Sequence, residues 1–97
     1  MPLPQPPTNY TAVVDLPTFT TISWVNGADA VSVRHELSIN NGSTWDRLDD
    51  DQVPTVTSDH SLPVDSVVLL RAKSVNAAGE SAYTTPVQVT TGNYNEV

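Results

Sequence analysis

Hydrophobic and polar side chains alternate with a period of two along most of this chain, in short runs cut by Pro, Gly, Asn and Asp. Successive side chains of a strand point to opposite faces, so such runs predict half-buried strands. Thr20, Ile22 and Trp24 share one parity, with Thr21 and Ser23 on the other. Val31, Val33, His35, Leu37 and Ile39 are expected to face inward, and Ser32, Arg34, Glu36 and Ser38 outward. From about Val67 the inward parity is Val68, Leu70, Ala72 and Ser74, and from Pro86 to Thr91 it is Val87 and Val89. Tyr10 to Asp15, Thr44 to Leu48 and Thr55 to His60 complete the expected strands. Phe19 fits the alternation poorly, and no helical stripe occurs.

Turn chemistry separates these runs. Leu16-Pro17-Thr18 and Asn26-Gly27-Ala28-Asp29-Ala30 break the pattern, and Asn41-Gly42 within Asn40 to Ser43 readily takes the positive φ values of a tight hairpin. Asp49-Asp50-Asp51 is expected to end the strand before it and open a solvated acidic loop. Pro2 to Pro7 predicts a stiff, extended, polyproline-like arm or linker.

Composition narrows the class. A chain of 97 residues fits one small domain. It contains no cysteine, which removes disulfides, thiolate metal sites and thiol nucleophiles and leaves the compartment open. Eleven acids against four bases give a net charge of -7, which opposes a phosphate backbone and argues against nucleic acid as a partner. No apolar run approaches the ~20 residues of a membrane span, and Met1 to Pro7 has neither the basic nor the apolar region of a signal peptide.

Leu70 to Ser81 combines a period-2 strand with Asn76-Ala77-Ala78-Gly79-Glu80-Ser81, and resembles the F strand and F–G turn of a fibronectin type III domain. Ser23-Trp24 resembles the Ser-Trp of that family's B strand, and Leu62-Pro63 its E–F turn. Ser38 to Trp45 resembles the Ser-x-Asp-Gly-Gly-x-x-Trp hairpin of bacterial and phage members, with Asn replacing Asp. The resemblance covers roughly residues 7 to 91. It implies an all-β fold, a two-sheet antiparallel β-sandwich with immunoglobulin-like Greek-key topology and about seven strands. The expected layout is an arm or linker at 1–8, the domain at 9–91 and a tail at 92–97. Core anchors are Ile22, Trp24, Leu37, Leu62, Leu70, Val87 and Val89. Val68 stands where the family usually has a tyrosine whose hydroxyl ties the E–F corner, so another group must satisfy that corner or the domain is a looser member.

Candidate chemistry is sparse. Ser58-Asp59-His60 has the letters of a hydrolase triad, but strand neighbours point apart, so Asp59 cannot orient His60 while Ser58 meets it. A zinc site from His35 and His60 would need a third ligand, and His35 is read as a satisfied core or rim histidine. Asp46, Asp49, Asp50 and Asp51 lack EF-hand spacing, although a weak calcium site shared with a partner stays open. No metal and no cofactor is expected. The sequons Asn9-Tyr10-Thr11 and Asn41-Gly42-Ser43 carry no functional weight.

Parity and the sheet order implied by the resemblance place Arg34, Arg71 and Lys73 on one outer face, with Glu36 and Leu69 among them, and Trp45 and Arg47 extending it. Cross-strand charge pairing is the simpler explanation of that face. The functional one is a contact surface for an acidic or glycan partner, with Trp45 as a stacking platform. The chain is therefore expected to be a non-catalytic display or adhesion module. One setting is a phage virion surface, as a capsid decoration or tail protein joined to its assembly through the Pro-rich arm. The alternative is a spacer from a larger extracellular bacterial carbohydrate-active enzyme or adhesin. Either setting implies a virion-surface or extracellular location.

Overall fold

The computed structural model describes residues 2–15 and 17–93. Its strands are β1 (Thr8–Val14), β2 (Phe19–Val25), β3 (Ser32–Ser38), β4 (Asp46–Gln52), β5 (Thr57–Ser61), β6 (Val67–Asn76), β7 (Gly79–Glu80) and β8 (Val87–Thr90). They form a three-stranded sheet ordered β1-β2-β5 and a five-stranded sheet ordered β4-β3-β6-β7, with β8 also on β6. The chain crosses between sheets after β2, after β4 and after β5. Two antiparallel sheets packed this way are an all-β, immunoglobulin-like sandwich. The expected turn at Leu16 and the tail residues 94–97 lie outside the described residues.

The core follows the alternation. Thr20, Ile22 and Trp24 of β2, Val33 and His35 of β3, and Val68, Leu70, Ala72 and Ser74 of β6 are all buried. Leu62 and Val89 join them, and Leu37, Leu48 and Val87 pack against the cluster. Trp24 directs its Nε1–H to the Asn26 side-chain oxygen at 2.9 Å, the partner a buried indole requires. Phe19 takes the outer parity and is exposed. Val31 and Ile39, expected inward, are 51% and 55% exposed. Each lies one residue beyond an end of β3, so their parity buries nothing.

Two bulges tune what the strands present. In β1 the register steps from Thr8↔Val25 to Thr11↔Ser23, so one extra residue is inserted at Asn9-Tyr10. Asn9 takes a φ of 53°, and Tyr10 is turned into the core. β4 departs further from expectation, starting at Asp46 rather than Thr44 and running through Asp49, Asp50 and Asp51. Its register with β3 steps from His35↔Asp49 to Glu36↔Arg47. Leu48 is the extra residue and packs on the core, while Arg47 stays outside. Consecutive aspartates read as strand breakers by propensity, but here Asp50 and Asp51 find cationic or imidazole partners on β3.

The turn before β4 is where expected. Asn41 and Gly42 have φ of 59° and 87°, and Ser43 N donates to Asn40 O at 3.3 Å. Ser38, expected outward, is buried at the end of β3, where its hydroxyl accepts from Gly42 N at 2.9 Å.

The Pro-rich segment folds back on the domain. Gln5 N donates to Ala28 O at 2.9 Å, and the Asn76 amide donates to Pro2 O at 2.9 Å and Asp29 O at 3.0 Å. Pro4 and Pro7 are buried. A Cβ on Gly27 would fall 2.0 Å from Gln5 O, so only glycine lets the two backbones approach this closely.

Thr91 ties the corner that Val68 cannot. Its hydroxyl donates to Pro63 O at 2.5 Å and accepts from Ser66 N at 3.0 Å, while its own N–H donates to Ser66 O at 2.9 Å. Val68 is left as a fully buried apolar side chain. Thr91→Val keeps the shape and strands two polar groups of the corner, which should cost about 1–3 kcal/mol. Urea unfolding checks this: the midpoint should fall with the slope unchanged, and an unmoved midpoint would show that Thr91 does not hold the corner.

Candidate functional site

The outer face of the five-stranded sheet is built on two facing rows. Antiparallel register puts Glu36 opposite Arg71 and Arg34 opposite Lys73. Arg71 donates from Nε and Nη2 to Glu36 Oε1 at 2.9 and 2.7 Å. Its guanidinium lies 4.0 Å from the Trp45 ring centroid and 3.7 Å from that of Tyr83. The Tyr83 hydroxyl donates to Glu36 Oε2 at 3.1 Å, so one carboxylate orients both the cation and one of its two rings. The Arg71 guanidinium thus contacts two aromatic rings, and Lys73 Nζ lies 4.7 Å from the Tyr83 centroid.

Arg34 opposite Lys73 is a like-charge pair, which is unfavourable on a sheet. Glu80, at the β6–β7 hairpin, lies between them and takes Lys73 Nζ at 2.6 Å and Arg34 Nη1 at 3.2 Å. The Lys73 ammonium holds the Glu80 carboxyl below its usual range, and Glu80 in turn raises Lys73. Asp50 continues the row, with Oδ1 3.7 Å from Arg34 Nε and Oδ2 bonded to Arg47. Each of the chain's four cationic side chains thus has a carboxylate partner. The face is charged but locally neutralised.

All five residues singled out from sequence, Arg34, Trp45, Arg47, Arg71 and Lys73, contribute to this surface. Trp45 is half-buried, with Arg71 against one side. Tyr83 and Glu80 were not foreseen. Between β7 and β8 the segment 81–86 is not a regular strand, yet it follows β6 closely. Ser81 Oγ accepts from Ser74 N at 2.9 Å and Thr84 Oγ1 from Ala72 N at 3.0 Å, while Ser81 N and Thr84 N donate to Ser74 O and Ala72 O. Hydroxyls standing in for backbone acceptors hold Tyr83 over Arg71. The signal was the spacing of Ser81 and Thr84 around a tyrosine, which alternation does not capture.

A second polar cluster is inside the sandwich. His35 is fully buried; its Nδ1 is 2.8 Å from the Tyr10 hydroxyl and its Nε2 2.9 Å from Asp51 Oδ2. A carboxylate accepts only, so the consistent assignment is Nε2–H to Asp51 and Tyr10 O–H to Nδ1, with His35 neutral. Burial lowers the His35 pKa, the Asp51 charge opposing that only in part, and burial raises the Tyr10 pKa above its usual value. Both shifts favour the hydrogen-bonded neutral forms. Trp24 meets the imidazole edge to face at 4.7 Å. His60 lies 6.2 Å away by ring centroids and bonds Ser58 Oγ at 2.9 Å, while Asp59 turns outward to Thr21 Oγ1 at 2.8 Å. The Ser-Asp-His run therefore splits between faces as alternation requires. Among the described residues, no three His, Asp or Glu side chains gather as metal ligands.

Solved structures share this architecture. Superposition on chicken CNTN1 FN1-FN3 domains gives a TM-score of 0.83 at 15% identity over 95% of this chain and 33% of that one. A multi-domain titin structure gives 0.80 at 15% identity, over 94% and 33%. The FN5 domain of Drosophila Lar gives 0.76 at 15% identity, over 94% of this chain and 99% of that one. The fold is fibronectin type III-like. This chain spans about a third of the titin and CNTN1 structures it matches, and one whole Lar domain. No family model matches the chain, and no curated protein matches it in sequence.

Within this fibronectin type III-like domain the buried imidazole makes stability pH-dependent. Folding depresses the His35 pKa, so the unfolded chain takes up a proton first as pH falls below about 6.5, and stability is lost from there downward. The slope is at most about 1.4 kcal/mol per pH unit. Urea unfolding at about pH 7.5 and pH 5.5 should show the loss, and His35→Phe should remove it. Wild-type stability that stays flat across that window would contradict a neutral buried His35.

Proposed function

We propose that the domain is a non-catalytic display and adhesion module whose contact surface is the Trp45–Arg71–Tyr83 ridge. The observation that carries this reading is the cluster itself. The Arg71 guanidinium lies over both the Trp45 and the Tyr83 ring on an outer sheet face, and the Glu36 carboxylate spends one oxygen on Arg71 and the other on Tyr83. Flat, oriented π surfaces edged by hydrogen-bonding groups suit sugar rings or planar groups of a partner protein. Because the cations are already paired, such recognition rests on shape and stacking more than on net charge. We propose that a glycan is the ligand class, and that the module works on the surface of a larger assembly such as a phage virion, or outside the cell.

A spacer inside a larger extracellular bacterial enzyme or adhesin is the second reading. The seating of Pro2 to Pro7 against the domain's own loops favours it, since a pinned segment sets the angle at which a neighbouring module leaves.

Trp45→Ala separates the two. It should lower stability by only about 1 kcal/mol, against the ~3–5 kcal/mol expected for Trp24→Ala. On a glycan array the wild type should bind a defined subset that Trp45→Ala and Arg71→Ala both lose. Wild-type protein that binds no glycan sinks the adhesion reading and leaves the spacer.

A further inference from the structure

The chain contains two Asn-Gly pairs, Asn26-Gly27 and Asn41-Gly42, and the structure treats them differently. We propose that Asn41 is a site of spontaneous backbone-directed deamidation, from which the fold protects Asn26.

The chemistry needs no enzyme. The Gly42 backbone nitrogen attacks the Asn41 side-chain carbonyl carbon, a C–N bond forms, and the bond from that carbon to Nδ2 breaks. The Gly42 amide proton ends on the leaving nitrogen, which departs as ammonia. Water then opens either carbonyl of the cyclic imide, giving aspartate or isoaspartate. The net change is Asn plus water to acid plus ammonia. A following glycine favours it because no side chain shields the attacking nitrogen.

Asn41 sits at an exposed turn, and among the described residues its side-chain amide makes no hydrogen bond. One restraint remains on the attacking atom, the Gly42 N–H to Ser38 Oγ bond at 2.9 Å. Asn26 is held at both side-chain heteroatoms. Its Oδ1 accepts from Trp24 Nε1 at 2.9 Å and its Nδ2 donates to Thr55 O at 3.1 Å. Gly27 is also packed under the Gln5 and Pro6 backbone. Cyclisation at Asn26 would have to release the core indole and lift the Pro-rich segment; at Asn41 it disturbs only the turn.

The product reaches the outer face. Gly42 is a neighbour of Trp45 and Leu69: a Cβ on it would lie 3.8 Å from the Trp45 ring and from the Leu69 side chain. Cyclisation removes the Gly42 N–H that Ser38 accepts, and isoaspartate adds a backbone carbon where two successive residues hold positive φ. Either change loosens the support of Trp45. Each conversion also adds one negative charge to a chain already at -7.

The test is peptide mapping by mass spectrometry after incubating the full chain in mildly alkaline buffer at physiological temperature, folded and in urea. In the folded protein, amide-to-acid conversion at Asn41 should run several-fold ahead of Asn26, and in urea the two should converge. Ser38→Ala, which frees the Gly42 N–H, should accelerate conversion at Asn41 several-fold and leave Asn26 unchanged. Conversion at Asn26 equal to or faster than at Asn41 in the folded chain would overturn the proposal, as would a ratio that denaturation does not change.

Discussion

Side-chain alternation along β6 is the constraint on which both faces of the molecule depend. Val68, Leu70, Ala72 and Ser74 go inward to zero exposure. The same backbone therefore sends Leu69, Arg71, Lys73 and Val75 outward, where β3 supplies Glu36 and Arg34 opposite them. A one-residue slip would exchange the two sets, burying Arg71 and Lys73 and exposing the apolar row. The core is thus what fixes the register of the outer face, and the surface inherits its precision from packing beneath it.

The ion pairs on that face range from the exposed Arg47–Asp50 pair to the buried Lys73 with its more exposed partner Glu80, and at the exposed end individual pairs contribute little to stability. Their effect here is to select geometry. Glu36 holds a guanidinium and a phenol at once, and Glu80 converts two facing cations into a bridged row. The interior cluster is a different case. Tyr10, His35 and Asp51 come from β1, β3 and β4, so the chain of hydrogen bonds runs from one sheet to the other across the sandwich. The Tyr10 hydroxyl and both His35 ring nitrogens are satisfied in this cluster, and a bulge at Asn9 is what brings the Tyr10 hydroxyl into reach.

Much of this was legible in the chain. Period-2 parity identified the buried faces of β2, β3 and β6, and the Asn41-Gly42 turn appeared where its residue types demanded. Parity also gathered Arg34, Arg71 and Lys73 on one face. What escaped were features set by tertiary partners rather than local pattern. Asp49 to Asp51 continue a strand because β3 offers Arg34 and His35. Thr91, distant in sequence from the E–F corner, replaces a missing tyrosine hydroxyl. Tyr83 reaches Arg71 from an irregular segment that Ser81 and Thr84 fasten to β6. Cross-strand charge pairing was expected around Arg34, Arg71 and Lys73, with Glu36 among them, but the further partners Glu80 and Asp50 come from a hairpin and a bulged edge strand whose course the alternation does not give.

Trp45 and Arg71 form a fixed stacked pair on a face whose register the core imposes. A double-mutant cycle on folding stability tests it most directly, with Trp45→Ala, Arg71→Ala and the two combined. A stacked pair gives a favourable coupling of about 0.5–1 kcal/mol. Additive single effects, with coupling indistinguishable from zero, would mean that the two side chains do not meet in solution and that their stacking is not a feature of the folded molecule.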